Sequence, residues 1–332
     1  MEIKEYAEAI AENIKNNHPE FDDIIINTVR KNNNVILHAV IIKNKDSNIS
    51  PTIYVDPFYN ENKSIEEAAE EVLEIYNNNK DIDFSFNEKD IMHFDNVKDK
   101  IIAKVYGKKK NEDELDRCPY AQFGDLIVNF FILVNKGNDN YATIKINNKL
   151  MAQWNVTLAT IMEYAYKNTP NLMPVKIMPM FEVLKALMPT DIDNETAEQI
   201  IGIDDKDDSY MYIISNDTKC NGAFYITDKN ALNQMADICG DSFYILPSSI
   251  HELIAVPARK LKGNGSNEEN LLAMVTEVNA TQLSEDEILS NNVYFYNKDE
   301  ETLYDSEKNV MQIVFQKGEG TQEDESCRGH WN

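Results

Sequence analysis

Apolar positions recur at helical spacing through residues 2–15, where Ile3, Tyr6, Ala7, Ile10 and Ile14 share one stripe and Glu, Lys and Asn take the other. That is the pattern of an amphipathic helix. Ile24–Arg30 and Val35–Lys43 read as two strands, joined through Lys31-Asn32-Asn33-Asn34, a polar turn that tolerates unusual backbone angles. Ile49–Val55 adds an extended piece closed by Asp56-Pro57. The next helix opens on a capping box, Ser64 with Glu67, carries Ile65, Ala68, Ala69, Val72, Leu73 and Tyr76 on one stripe, and ends at Asn77-Asn78-Asn79. Phe94, Val97, Ile101, Ile102 and Val105 predict a further helix over 94–106, with Gly107 as its cap.

The middle of the chain repeats the design. Leu126–Asn135 and Tyr141–Ile146 predict a hairpin around Lys136-Gly137-Asn138, and Asn155–Lys167 a helix that stops before Pro170. A third version pairs Tyr210–Ser215 with Ala223–Thr227 across Asn221-Gly222, then starts a helix at Asp228 that runs to Cys239 and Gly240. A helix near 268–278, a capping box at Ser284 and Glu287, and a hairpin of Asn292–Asn297 with Val310–Gln316 complete the reading. The expected fold class is α+β: repeated antiparallel β-hairpins, each packed by a following helix, in mixed or antiparallel sheets.

Composition shifts mark the domain plan. The Asp-rich stretch 191–209 reads as an acidic linker between an N-terminal α+β domain, 1–190, and a C-terminal one, 210–316, and residues 317–332 are too polar to bury a face and read as a flexible acidic tail. A second polar linker spans Lys262 to Asn270.

Charge excludes several functions. Thirty-two Lys and Arg against 57 Asp and Glu leave −25 at pH 7, with a pI near 4.5, so the surface repels phosphate and no direct nucleic-acid binding is expected. The one basic run, Lys108-Lys109-Lys110, is followed at once by Glu112, Asp113 and Glu114 and reads as a solvated turn. The longest apolar run, Leu126 to Val134, is broken by Asn129 and is too short for a bilayer. Met1 to Glu5 lack the features of a signal peptide, so the expected location is cytoplasmic, with Cys118, Cys220, Cys239 and Cys327 reduced.

The most suggestive chemistry lies in Ser242-Phe-Tyr-Ile-Leu-Pro-Ser-Ser-Ile-His-Glu-Leu-Ile254, which sets Ser248, Ser249, His251 and Glu252 just after a buried strand. His251-Glu252 opens like a zinc-binding H-E-x-x-H helix, but the second imidazole position is Ala255. A hydroxyl nucleophile at Ser248 or Ser249 with His251 as base lacks the G-x-S-x-G elbow, and the structural alternative is a helix-capping box of Ser249 with Glu252 behind Pro247. Asp81-x-Asp83-x-Ser85 and Asp191-x-Asp193-x-Glu195 begin like calcium loops yet lack the Gly at position six and the closing carboxylate. Gly263-x-Gly265 and Gly318-x-Gly320 lack the third glycine of a dinucleotide site. His18, His38 and His93 read as structural, and Cys118 before Pro119 as a buried thiol. In the tail, Cys327 and His330 make half of a zinc site, with a frayed terminus as the alternative. No cofactor is expected.

Five segments, Ile49–Val55, Asn168-Thr169-Pro170, Asn221-Gly222-Ala223, Leu246–Glu252, and Glu277-Val278-Asn279 followed by Leu289-Ser290, resemble an uncharacterised bacterial family known only as domain of unknown function 5688. The resemblance spans the chain to about residue 297, implies an intracellular protein of gut-type anaerobes, and brings no activity with it. The leading expectation is a non-enzymatic cytoplasmic binding or regulatory protein whose partner is another protein and not a membrane. The alternatives are a hydrolase-like enzyme using the Pro247–Glu252 corner, and a folded carrier of a C-terminal peptide that is recognised or modified.

Overall fold

The computed structural model describes residues 1–21, 23–43, 50–79, 88–136, 141–189, 192–201, 211–247, 249–261 and 268–315. Its first unit follows the hydrophobic pattern closely. Helix Ile3–Asn17 precedes an antiparallel pair, β1 (Asp23–Arg30) and β2 (Ile36–Lys43), with β3 (Ile53–Tyr54) beside β2. Helices Asp56–Asn60 and Ile65–Asn79 complete the unit. Tyr6, Ile10, Ile14, Val40, Ile42, Val72 and Tyr76 form a core drawn entirely from this unit. The Ser64 box closes in both directions: Glu67 N–H donates to Ser64 Oγ at 3.2 Å and Ser64 N–H to Glu67 Oε2 at 2.9 Å.

The second sheet holds β4 (Ile101–Gly107), β5 (Tyr120–Phe123), the long β6 (Leu126–Lys136) and β7 (Tyr141–Lys145). The hairpin of β6 with β7 is as expected, but the helix over 94–106 is not. Only Phe94–Val97 and one tighter turn, Lys98–Lys100, are helical before β4 begins. β4 pairs with β6 from Ile101–Ile132 to Gly107–Leu126 and is covered on both faces. A strand buried on both sides presents a nearly continuous apolar run, which periodicity cannot tell from a buried helix. Gly107 caps nothing; a Cβ there would lie 2.5 Å from the Leu289 carbonyl oxygen.

The third sheet takes β8 (Val175–Pro179), β9 (Tyr212–Asn216), β10 (Phe243–Leu246), β11 (Leu253–Pro257), β12 (Tyr294–Asn297) and β13 (Thr302–Tyr304) in the order β13-β12-β10-β11-β9-β8, every pairing antiparallel. Finally β14 (Ile313–Phe315) pairs with β5 of the second sheet. Three antiparallel sheets with helices make the fold α+β.

Other expectations change for local reasons. Helix Leu158–Leu172 carries Pro170 inside its last turn, and Met173 N–H still closes on Thr169 O at 2.9 Å. Gly222–Thr227 is a tight helical turn, not a strand: Asn221 turns left-handed at φ 54°, and Ala223, Phe224, Tyr225 and Ile226 are all buried, with no alternation. The third hairpin-plus-helix is therefore absent, although helix Lys229–Cys239 follows with Asp228 and Gly240 at its ends as expected. Ser284 and Glu287 close a turn, not a helix, through Glu287 N–H to Ser284 O. β12 pairs with β13 where the reading paired 292–297 with 310–316. The stretch 191–209 falls between β8 and β9, which are hydrogen-bonded neighbours. One large core joins Val105, Phe130, Ile161, Ile214, Met235, Phe243, Tyr294 and Met311, side chains contributed from both sides of that stretch.

Candidate functional site

The Pro247–Glu252 corner is the connection between β10 and β11, so no helix starts there and the Ser249–Glu252 box does not form. Two adjacent antiparallel strands need only a short turn, and this one faces the loop that follows β9. That loop is tied to itself: Asn216 Oδ1 accepts from Thr218 N–H, Thr218 Oγ1 and Cys220 N–H, and Asn216 Nδ2 donates to Cys220 O. Lys219 and Asn221 both take positive φ. Gly222 then passes so close to β9 that a Cβ would stand 2.5 Å from Ser215 Oγ and 2.6 Å from His251 O.

His251 is clamped by this loop. Its carbonyl accepts from Gly222 N–H at 2.9 Å and Ser215 Oγ at 2.8 Å, and its Nδ1 accepts from Asn221 N–H at 3.2 Å. A ring nitrogen that accepts carries no proton, so the neutral imidazole is protonated at Nε2, which faces Glu287 Oε1 at 3.7 Å. Ser249 is buried, and its hydroxyl accepts from the His251 backbone N–H at 2.9 Å. The serine therefore meets the histidine's main chain, while the ring addresses Asn221 and Glu287. Glu252 is half-buried at the entry to β11. Ser248, Cys327 and His330 lie outside the described residues, as do Asp81, Asp83, Asp191 and both glycine pairs.

The other histidines have local partners: His18 Nδ1 is 3.0 Å from Glu20, and His38 Nδ1 is 3.2 Å from Asp56, whose other oxygen accepts His38 N–H. His93 precedes the short turn Phe94–Val97. Burial pushes the Cys118 thiol up, away from the activated range. Among the described residues no group of three His, Cys, Asp or Glu could hold a metal, and no helix is long and apolar enough to cross a membrane.

A second polar cluster, missed in the sequence, sits on the face of the second sheet opposite the large core. Alternation along β4 aims Ile102, Lys104 and Tyr106 that way, and along β6 and β7 it brings Phe131 and Leu133 beside Tyr141, Thr143 and Lys145. Lys104 is 7 % exposed. Its Nζ donates to Thr143 Oγ1 at 2.9 Å and rests 4.3 Å from the Phe131 ring centre and 4.8 Å from that of Tyr141. Lys145 Nζ stands 5.9 Å from the same Phe131 ring and pairs with Glu114. Among the described residues Lys104 has no carboxylate partner.

Desolvation, with Lys145 and Lys31 adding like charge, lowers the Lys104 ammonium to about 7, and only Cys220 pulls the other way. The Tyr141 hydroxyl is buried and meets no hydrogen-bond partner among the described residues, with the Asn221 side chain close beside it. Burial raises the Tyr106 and Tyr141 phenols, so both stay neutral donors. The helical reading of 94–106 hid Lys104 on a wet face. The signal that finds it is the Ile102-x-Lys104-x-Tyr106 alternation inside an apolar run.

The segments that carry the family resemblance turn out to supply buried backbone partners. Asn168 Nδ2 donates to Lys98 O and Ile101 O, and Thr169 Oγ1 accepts from Ala103 N–H. Asn279 Nδ2 donates to Ser290 O, while the Ser290 hydroxyl donates to Asp125, the carboxylate in the β5–β6 turn that Asn292 and Tyr294 also reach. A protein-family model described as a family of unknown function, DUF5688, matches residues 3–298, and the chain belongs to that family. No curated protein and no solved structure matches it.

Proposed function

We propose that the chain is a non-enzymatic binding or regulatory protein of the cytoplasm, acting through another protein. One observation supports this reading above the rest. At the corner richest in reactive groups, His251 Nδ1 and Ser249 Oγ both serve as acceptors for backbone N–H groups, the imidazole joining its turn to the loop after β9 and the serine bracing its own turn. A serine that is to attack a carbonyl must instead give its proton to an imidazole acceptor.

The test is a paired screen of the full chain. Thermal-shift screening against peptide and metabolite panels, with calorimetry on each hit, should return a saturable 1:1 partner that is left chemically unchanged. Steady turnover in a hydrolase or transferase panel that disappears in folded His251→Ala protein would overturn the reading in favour of the Pro247–Glu252 corner as an active site.

A further inference from the structure

The Lys104 amine is anomalous in a chain with so large an excess of carboxylates. A buried ammonium costs several kcal/mol unless an acid pairs with it, and here the groups around it among the described residues are two aromatic rings, the Thr143 hydroxyl, the Cys220 thiol and the lysines Lys145 and Lys31. Removal from water beside like charges is the environment that turns a lysine into a nucleophile, because it favours the neutral amine with its free electron pair. Thr143 Oγ1 touches Nζ, and the Tyr141 ring against the amine carries a buried hydroxyl that meets no hydrogen-bond partner among the described residues. Tyr141, Thr143 and Lys145 are only half-buried, so the amine lies under one partly open strand.

From this geometry we infer that Lys104 is a binding site for small carbonyl compounds, aldehydes or ketones, which it captures reversibly as an imine between the Phe131 and Tyr141 rings. The Nζ electron pair forms a bond to the carbonyl carbon while the π pair moves to oxygen. The nitrogen loses a proton and the oxygen gains one, giving a carbinolamine, with the Thr143 hydroxyl placed to pass the proton. The nitrogen's electron pair then forms the second carbon–nitrogen bond as the carbon–oxygen bond breaks, and the remaining N–H proton passes to the departing hydroxyl, which leaves as water. Amine plus carbonyl thus becomes imine plus water, with no oxidant or reductant, and hydrolysis returns both. The Tyr141 hydroxyl is the available donor for the carbonyl oxygen. This site uses none of Ser249, His251 or Glu252, although the Cys220–Asn221 loop borders both places, and it stands whether or not a protein partner is found.

Propanal with cyanoborohydride, which freezes an imine as a propyl amine, tests the site on the intact protein at pH 7. At low overall conversion, peptide mass spectrometry should find the adduct on Lys104 at least ~10-fold above the average of the other lysines, since an ordinary lysine near 10.4 is almost wholly protonated there. The preference should fade by pH 10, where all lysines become nucleophilic. Labelling of the urea-unfolded chain supplies the control that the Lys104 peptide is detected. Native labelling of Lys104 at or below the average of the other lysines would overturn the proposal.

Discussion

Replacing Lys104 by Met tests the physical account of the buried amine without any ligand. Methionine keeps the apolar stem against Phe131 and Tyr141 and removes the ionisable head. In the wild type the folded chain holds this amine at about 7 against 10.5 for an unperturbed lysine. Between those limits the unfolded chain keeps a proton that the folded chain has lost, so wild-type stability rises with pH by up to about 1.4 kcal/mol per unit. It is lowest below the folded value, where both states are protonated and the burial cost is felt in full. At pH 7 that cost is on the order of 4 kcal/mol. Subtracting about 1 kcal/mol for the lost Thr143 bond leaves the Met variant ahead by about 3 kcal/mol. Urea unfolding followed by tryptophan fluorescence, with Trp154 buried as the reporter, should show this lead shrink by about 2 kcal/mol between pH 7 and 9 and hold level below pH 6. The difference between two proteins at each pH cancels every other titrating group, so a lead that stays constant from pH 6 to 9.5 would refute the reasoning.

Substitutions at two further positions probe long-range ties and a close backbone approach. Asn33 sits at φ 58° and donates to Glu285 O at 2.7 Å and Ile288 O at 2.8 Å, so Asn33→Ala should cost about 3 kcal/mol, roughly 1 for each bond and 1 for the left-handed backbone. Asn33→Gly should recover about 1 kcal/mol of that in the same urea titration, and equal losses would remove the backbone part of the argument. Gly222→Ala forces a methyl group onto Ser215 and the His251 carbonyl, which are backbone-anchored and cannot step aside; its cost should be about 3 kcal/mol or more, and a melting temperature within ~2 °C of the parent would contradict the close approach.

Elements whose stability is local were legible in the residues alone. The amphipathic stripe of Ile3–Asn17, the Ser64 box, the Asp228 and Gly240 ends of helix Lys229–Cys239 and the β6–β7 hairpin each announce themselves through neighbours a few positions away. The asparagine turn after β1 was legible as a turn, but not as a joint: Asn32 and Asn33 reach carbonyls at 285–288, and Asn111 Nδ2 donates to both side-chain oxygens. Such bonds join residues far apart in sequence, and composition carries no trace of the partner.

The same reason governs the site. Ser249, His251 and Glu252 attracted notice because they stand together in the sequence, yet which ring nitrogen faces which group was decided by Asn221 and Glu287, thirty positions before and thirty-six after the histidine. Lys104 shows the converse. Its neighbours Ile102, Ala103 and Val105 say only that the segment is buried; that its amine meets Phe131, Tyr141 and Thr143, and no carboxylate among the described residues, follows from the register of β4, β6 and β7. Periodicity reports which side of an element turns from water, because that depends on the side chains of the element itself. Pairing register, and with it the electrostatic surroundings of a buried charge, is set by strands packed together, and only the tertiary structure holds that information.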